Sequence, residues 1–307
     1  MEVARPPAHG DKLKALLANA KLPKPDRARV EKAVARYEAW VSQLRGTTES
    51  GAKLLSSFIH ALNGYKFYLE FDLIFGAEDD FLYRQKGQLK LDNTVLEEFL
   101  PYLFDVRLVP GLARIRNLNC GSQSSFAGMS FASPFLPLGA GGVFMKLKDQ
   151  DFAVSKSHRM VISDEPANGG QFETTFCVSH FATEIKTNLD KTMFQEASAT
   201  AAELKRSVPG SRYILLCEYL DMTPITTKLT SIDEVIVLRK AKRLSSNVRA
   251  EFSTAAGRQK SRGAYEAFLA KNPLQQSCFE RFVWHLNECF PEREEDEEDV
   301  VLGRGYF

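Results

Sequence analysis

The sequence predicts an α/β protein with a mainly helical N-terminal region, a strand-rich centre and a helical C-terminal region. Three observations point there. Apolar residues recur at helical spacing through the first hundred residues. Strand-like runs crowd between 143 and 239, with one Ala-rich helical stretch among them. Helical periodicity then returns from 241. The 307 residues, 44% of them hydrophobic, suffice for a packed core. The expected organisation is one compact unit: helical residues 1–110, a core at 111–240, a helical region at 241–291 that is basic at its start, and an acidic tail at 292–307.

Near the N-terminus, KLKALLANAKL stops at Pro23 and Pro25, whose rings block helix continuation. DRARVEKAVARYEAWVSQLR follows, with Asp26 as N-cap and Val30, Val34, Tyr37 and Trp40 at helical spacing. A second helical block runs from Ala52 to Phe75, and a third, TVLEEFLPYLF, follows the turn at 91–93. The aromatic series Tyr65, Phe67, Tyr68, Phe71 and Phe75 reads as core. Residues 117–142 are rich in Gly, Ser and Pro without a clean period, and read as irregular.

VFMKLK (143–148) predicts a short strand. DFAVSKSHRMVIS (151–163) and QFETTFCVSHFATEIK (171–186), joined by the turn cluster DEPANGG, predict a long hairpin. LDKTMFQEASATAAELKRS (189–207) is helical, with Asp190 in its first turn and Pro209-Gly210 ending it. RYILLCEYL (212–220) has the length and apolarity of a buried strand, and EVIVLR (234–239) is another.

Composition excludes several classes. The five cysteines are odd in number and show neither CxxC nor zinc-finger spacing, against a disulfide scaffold or a structural zinc site. No apolar run approaches the roughly 20 residues that cross a bilayer, and MEVARPPAHGDKLK lacks the apolar segment of a signal peptide. The expectation is a soluble cytoplasmic protein with no membrane partner. The net charge of +1 is uneven: Glu292–Asp299 holds seven acids and one arginine, whereas Arg239–Arg262 holds eight basic residues against Glu251. A basic body with an acidic tail suits a nucleic-acid binder whose tail competes for its own groove; solvated faces are the plainer alternative.

The chemistry centres on FATEIKTNLD (181–190). Alternation along a strand puts Glu184 and Lys186 on one face and Ile185 on the other. Charges at the end of an apolar strand are costly unless something uses them. The hairpin partner would bring Asp151 to the same edge, with Asp149 and Asp164 as rivals for this first acid. Two carboxylates invite Mg²⁺, a hard cation that takes oxygen ligands, and Lys186 would orient water or stabilise developing negative charge. This set suits phosphodiester hydrolysis; an isolated Glu-x-Lys is more often only an edge-strand ion pair, and it is the hairpin, the helix at 189–207 and the buried strand at 212–220 in the required order that bring the two readings level. Other constellations are missing: no G-x-S-x-G, no P-loop and no G-x-G-x-x-G. His158 and His180 lie on the hairpin strands without metal-ligand spacing and read as structural.

The acid, hairpin, acid-x-Lys order resembles the PD-(D/E)XK nuclease superfamily. TEIKTNLDKTMFQEA (183–197) and DLIFGAEDDFLYRQKGQLKLDNTVLEEFLPYLF (72–104) resemble type II restriction endonucleases of the Bpu-ten-I kind. The resemblance implies a restriction-endonuclease-like core, a central mixed β-sheet flanked by helices, and a Mg²⁺-dependent enzyme cutting double-stranded DNA. Asp151 and Glu184 would be the metal ligands and Lys186 the third catalytic residue; Gln150 stands where the motif has Pro. Glu196 and Gln195, on the following helix, would be secondary metal or water contacts. Arg239, Lys240, Lys242, Arg243 and Arg249 would meet DNA phosphates, and arginines within 107–116 would read guanine edges. The implied partners are a second similar subunit, as heterodimer or homodimer, and a cognate DNA methyltransferase of a restriction–modification system. Two alternatives stand beside this reading: the same core used in repair or on modified DNA, and a non-catalytic DNA-binding or assembly subunit.

Overall fold

A computed structural model describes residues 6–133, 135–163, 170–293 and 297–306. Helices α1 (Ala8–Leu17), α2 (Lys24–Gly46), α3 (Gly51–Phe67), α4 (Phe81–Gln85) and α5 (Asn93–Leu103) form the N-terminal layer. The helical block expected through Phe75 changes character on the way, since α3 continues as a π-helical stretch over Tyr68–Phe75. Asp26 is not the N-cap of α2. Pro23 occupies the cap position, and Asp26 lies in the first turn, fully buried, with both carboxylate oxygens lacking hydrogen bonds among the described residues. Burial raises its carboxyl above the ordinary value, with Arg29 opposing.

Among the described residues five strands, β1 (Asn119–Phe131), β2 (Val143–Ser163), β3 (Gln171–Leu189), β4 (Arg212–Leu220) and β5 (Glu234–Lys242), form one sheet in the order β1-β2-β3-β4-β5. Helix α6 (Lys191–Ser207) makes the crossover from β3 to β4. Pairs β1–β2 and β2–β3 are antiparallel and β3–β4 and β4–β5 parallel, so the sheet is mixed. The segment expected to be irregular thus contains a 13-residue strand. Its register shifts at Gly121/Gln123 and Phe126/Gly128 explain why no period was visible: each bulge resets the alternation of faces. The two runs 143–148 and 151–163 are one strand, because Asp149 and Gln150 keep pairing with Ser124 and Gln123 of β1. The hairpin turn at 164–169, and with it Asp164, lies outside the described residues.

After β5 come α7 (Ser246–Glu251), α8 (Ala255–Lys260), α9 (Arg262–Lys271), α10 (Gln276–Cys289) and α11 (Glu297–Arg304). The sheet buries both faces. Phe152, Phe181, Ile185, Ile214, Leu216 and Leu238 pack against the N-terminal helices and against Phe279, Phe282 and Leu286 of α10. On the other face Ala153, Ala182, Tyr213, Leu215 and Cys217 pack against Phe194, Ala197, Ala201 and Leu204 of α6. Asp190 caps α6 by accepting the Met193 N–H at 2.9 Å. The five cysteines are free thiols, and among the described residues no helix is long and apolar enough to cross a membrane.

Candidate active site

The antiparallel ladder between β2 and β3 ends at Phe152–Thr183, so Asp151 and Glu184 stand at the next rung. There Asp151 Oδ2 accepts the Ile185 N–H at 2.7 Å, a side chain taking over a backbone donor and fixing the carboxylate against β3. Ile185 itself points into the core, 2% exposed. Glu184 and Lys186 leave the strand on the opposite face, with Lys186 Nζ at 2.6 Å from Glu184 Oε1. The second oxygen, Oε2, accepts the Tyr213 hydroxyl of β4 at 2.8 Å. Parallel pairing of β3 with β4 sets Tyr213 beside Ala182, on the same face as Glu184.

Burial raises the Asp151 carboxyl, opposed by the Ile185 N–H and raised further by Glu184. Lys186 also loses hydration, but the Glu184 contact outweighs that loss and holds the ammonium above its ordinary value. Glu196 adds to this field from α6, where it is exposed. Gln195 is likewise exposed. Asp149 is exposed and accepts a hydrogen bond from the Ser124 hydroxyl on β1.

A residue missed in the sequence joins this group. Glu97 of α5 is half-buried, and burial together with the Asp151 charge pushes its carboxyl up to about 7. Helix α5 is held here by a hydrogen bond from the Thr187 hydroxyl to Asn93 Oδ1. The available signal was a pair of adjacent acids, Glu97 and Glu98, inside an apolar helix. Glu98 turns toward α1, accepting the His9 and Gly10 N–H groups at 2.8 and 3.2 Å.

Among the described residues, no group of three or more His, Cys, Asp or Glu side chains stands close enough to enclose a metal. That donor set still fits Mg²⁺, which is commonly held by one or two carboxylates, waters and substrate phosphate oxygens rather than by a protein cage. Asp151 and Glu184 would be the two carboxylates.

The residues expected to meet phosphates divide. Arg239 is corrected: it is 4% exposed, bound through Nη2 to Glu70 at 2.6 Å and through Nε to Glu218 at 2.9 Å. Lys66 completes this buried quartet, 2.7 Å from Glu218 and 3.0 Å from Glu70. Arg258, within the same basic stretch, is also buried, donating to the carbonyls of Phe75, Ala77, Asp79 and Phe252. Arg107 is held by Asp105 and by the carbonyls of Thr47 and Glu49. Lys240 and Lys242 are exposed, the former donating to Ser277 Oγ at 2.8 Å. Arg243 pairs with Asp221 at 3.1 Å, and Arg249 donates to the Leu244 carbonyl.

A mixed sheet flanked by helices, with two carboxylates and a lysine converging on adjoining strands, is the context in which the comparisons fall. The Bpu10I restriction endonuclease family matches residues 88–307, most of the chain. The chain belongs to that family. A solved structure described as the native BbvCI A2B2 tetramer at low resolution is 18% identical, with 86% of this chain and 97% of that chain covered and a TM-score of 0.35. No curated protein matches.

Proposed function

We propose that this chain is a type II restriction endonuclease that hydrolyses phosphodiester bonds of double-stranded DNA at a specific site, with Mg²⁺, in the cytoplasm as part of a restriction–modification system. The observation carrying the reading is the convergence of Asp151, Glu184 and Lys186 on the adjoining strands β2 and β3. Asp151 and Glu184 would hold the cation, which supplies Lewis-acid charge on the scissile phosphate when bound. The Ile185 N–H orients Asp151 and the Tyr213 hydroxyl orients Glu184, which holds the two carboxylates in place on adjoining strands. Lys186 keeps its proton through Glu184 and offers positive charge to the oxygen that becomes more negative as the bond breaks. Glu196, whose charge acts on Lys186 from α6, and Gln195 beside it would be the secondary contacts. One such set cuts one strand, so a double-strand break takes two, from a similar partner subunit or a second copy.

The test incubates the purified chain with unmethylated plasmid in Mg²⁺ or EDTA and sequences the ends. Discrete ends that vanish with EDTA, and in Glu184→Gln and Lys186→Ala, are expected, with Ca²⁺-supported DNA binding retained by Lys186→Ala. Smeared ends would favour a repair-type nuclease. Near-normal cleavage by Lys186→Ala would sink the assignment, and metal-independent binding without any nicking would leave a DNA-binding subunit.

A further inference from the structure

Lys90 is one of three non-glycine residues with a left-handed backbone among the described residues, at φ 51°. A β-carbon is disfavoured there, and such outliers persist only where the surroundings over-determine them. The surroundings do so here. The Lys90 N–H donates to the Gly87 carbonyl at 3.2 Å, and the Lys90 carbonyl accepts the Thr94 N–H at 3.3 Å and the Thr94 hydroxyl at 2.8 Å. The Thr94 hydroxyl also meets His9 Nδ1 of α1 at 3.1 Å. The turn that leads into α5 is therefore locked, yet its geometry asks for glycine or asparagine rather than lysine.

The side chain offers a reason for lysine. It is exposed, and no ion pair holds it among the described residues. Three residues on, Asn93 is bonded to Thr187, the neighbour of Lys186, so the turn stands at the rim of the candidate site. The Lys90 charge acts on both Asp151 and Glu97. The charge of Lys12 on α1, also exposed, acts on Glu97 as well. Within the site Lys186 Nζ lies 2.6 Å from Glu184, and among the described residues no ion pair holds Asp151 or Glu97, so a further cation at the rim would offset these two acids as a phosphodiester approaches. Arg239 and Arg258, two cations of the basic stretch, are buried and do not reach a phosphate.

We infer that Lys90 contacts a backbone phosphate of the DNA and seats the scissile strand over Asp151 and Glu184. This rests on the nuclease reading above. The full-length chain, Lys90→Gly and Lys90→Arg are compared on a random-sequence duplex in Ca²⁺ over a series of salt concentrations, and in Mg²⁺ for plasmid nicking. Loss of one phosphate contact makes the slope of log K against log salt shallower by about 0.9. Lys90→Gly should show that change and a raised KM with kcat nearly kept, while unfolding no more easily than wild type because glycine relieves the backbone. Lys90→Arg should keep the wild-type slope. Unchanged slope and KM in Lys90→Gly, beside an active wild type, overturn the inference and leave the nuclease reading standing. Equal losses in Lys90→Gly and Lys90→Arg also overturn it, since they point to the turn rather than the charge. A wild type that neither binds nor nicks removes the nuclease reading and this inference with it.

Discussion

His9 is fully buried, its ring nitrogens meeting the Thr94 hydroxyl at 3.1 Å and the Tyr65 hydroxyl at 2.7 Å. Burial, and then the Lys66 charge, lower its pKa to about 3, so the folded protein holds a neutral ring at pH values where the unfolded chain is protonated. The unfolded state therefore binds the extra proton between about 6.5 and about 3, and stability falls as pH drops through that window. The contribution is on the order of 1.4 kcal/mol per pH unit for one proton. His9→Asn should be less stable at pH 7 but lose less stability between pH 7 and 5 than wild type, as read from urea unfolding. Parallel pH dependences would show that His9 does not carry the effect.

At the scale of elements, a four-charge cluster joins α3, the π-helical stretch, β4 and β5 through Lys66, Glu70, Glu218 and Arg239. The Arg239 guanidinium also lies over the Tyr219 ring, 5.1 Å from its centroid. Removing one partner of a buried ion pair leaves an uncompensated charge and costs roughly 3–5 kcal/mol. Arg239→Ala should destabilise by that order, whereas Lys242→Ala, at an exposed position, should stay within about 0.5 kcal/mol. Denaturant unfolding of the two variants checks this. If Arg239→Ala unfolds like wild type and loses only DNA affinity, the cluster is not structural.

At the scale of the molecule, the charge is divided between a basic body and the segment 292–307, which holds seven acids and two arginines against a net +1 for the chain. That segment begins at Glu292, whose carbonyl accepts Arg114 Nη1 at 3.1 Å, and residues 294–296 and 307 within it lie outside the described residues. Deleting 292–307 should tighten binding to non-specific duplex and steepen its salt dependence, because acids that compete with phosphates for the basic surface are gone. Identical slopes for the truncated and full-length chains would mean that the segment does not compete.

The chain by itself determined the helical ends, the long hairpin, the buried strand β4 and the shared face of Glu184 and Lys186. All of these follow from local periodicity, where each residue's direction depends only on its neighbours in sequence. Strand β1 escaped because its two bulges break that period. Only the tertiary structure decided which charges are structural and which are available. Arg239 reads as one more cation in a basic run until it meets Glu70, 169 residues away in sequence. Glu97 reads as a helix-surface acid until α5 is laid against β2 and β3 and burial beside Asp151 changes its proton affinity. Lys90 reads as an ordinary turn residue until the fold puts its turn at the rim of the site. Charge costs and proton affinities are set by desolvation and by partners brought together in space, and the order of residues along the chain does not contain those distances.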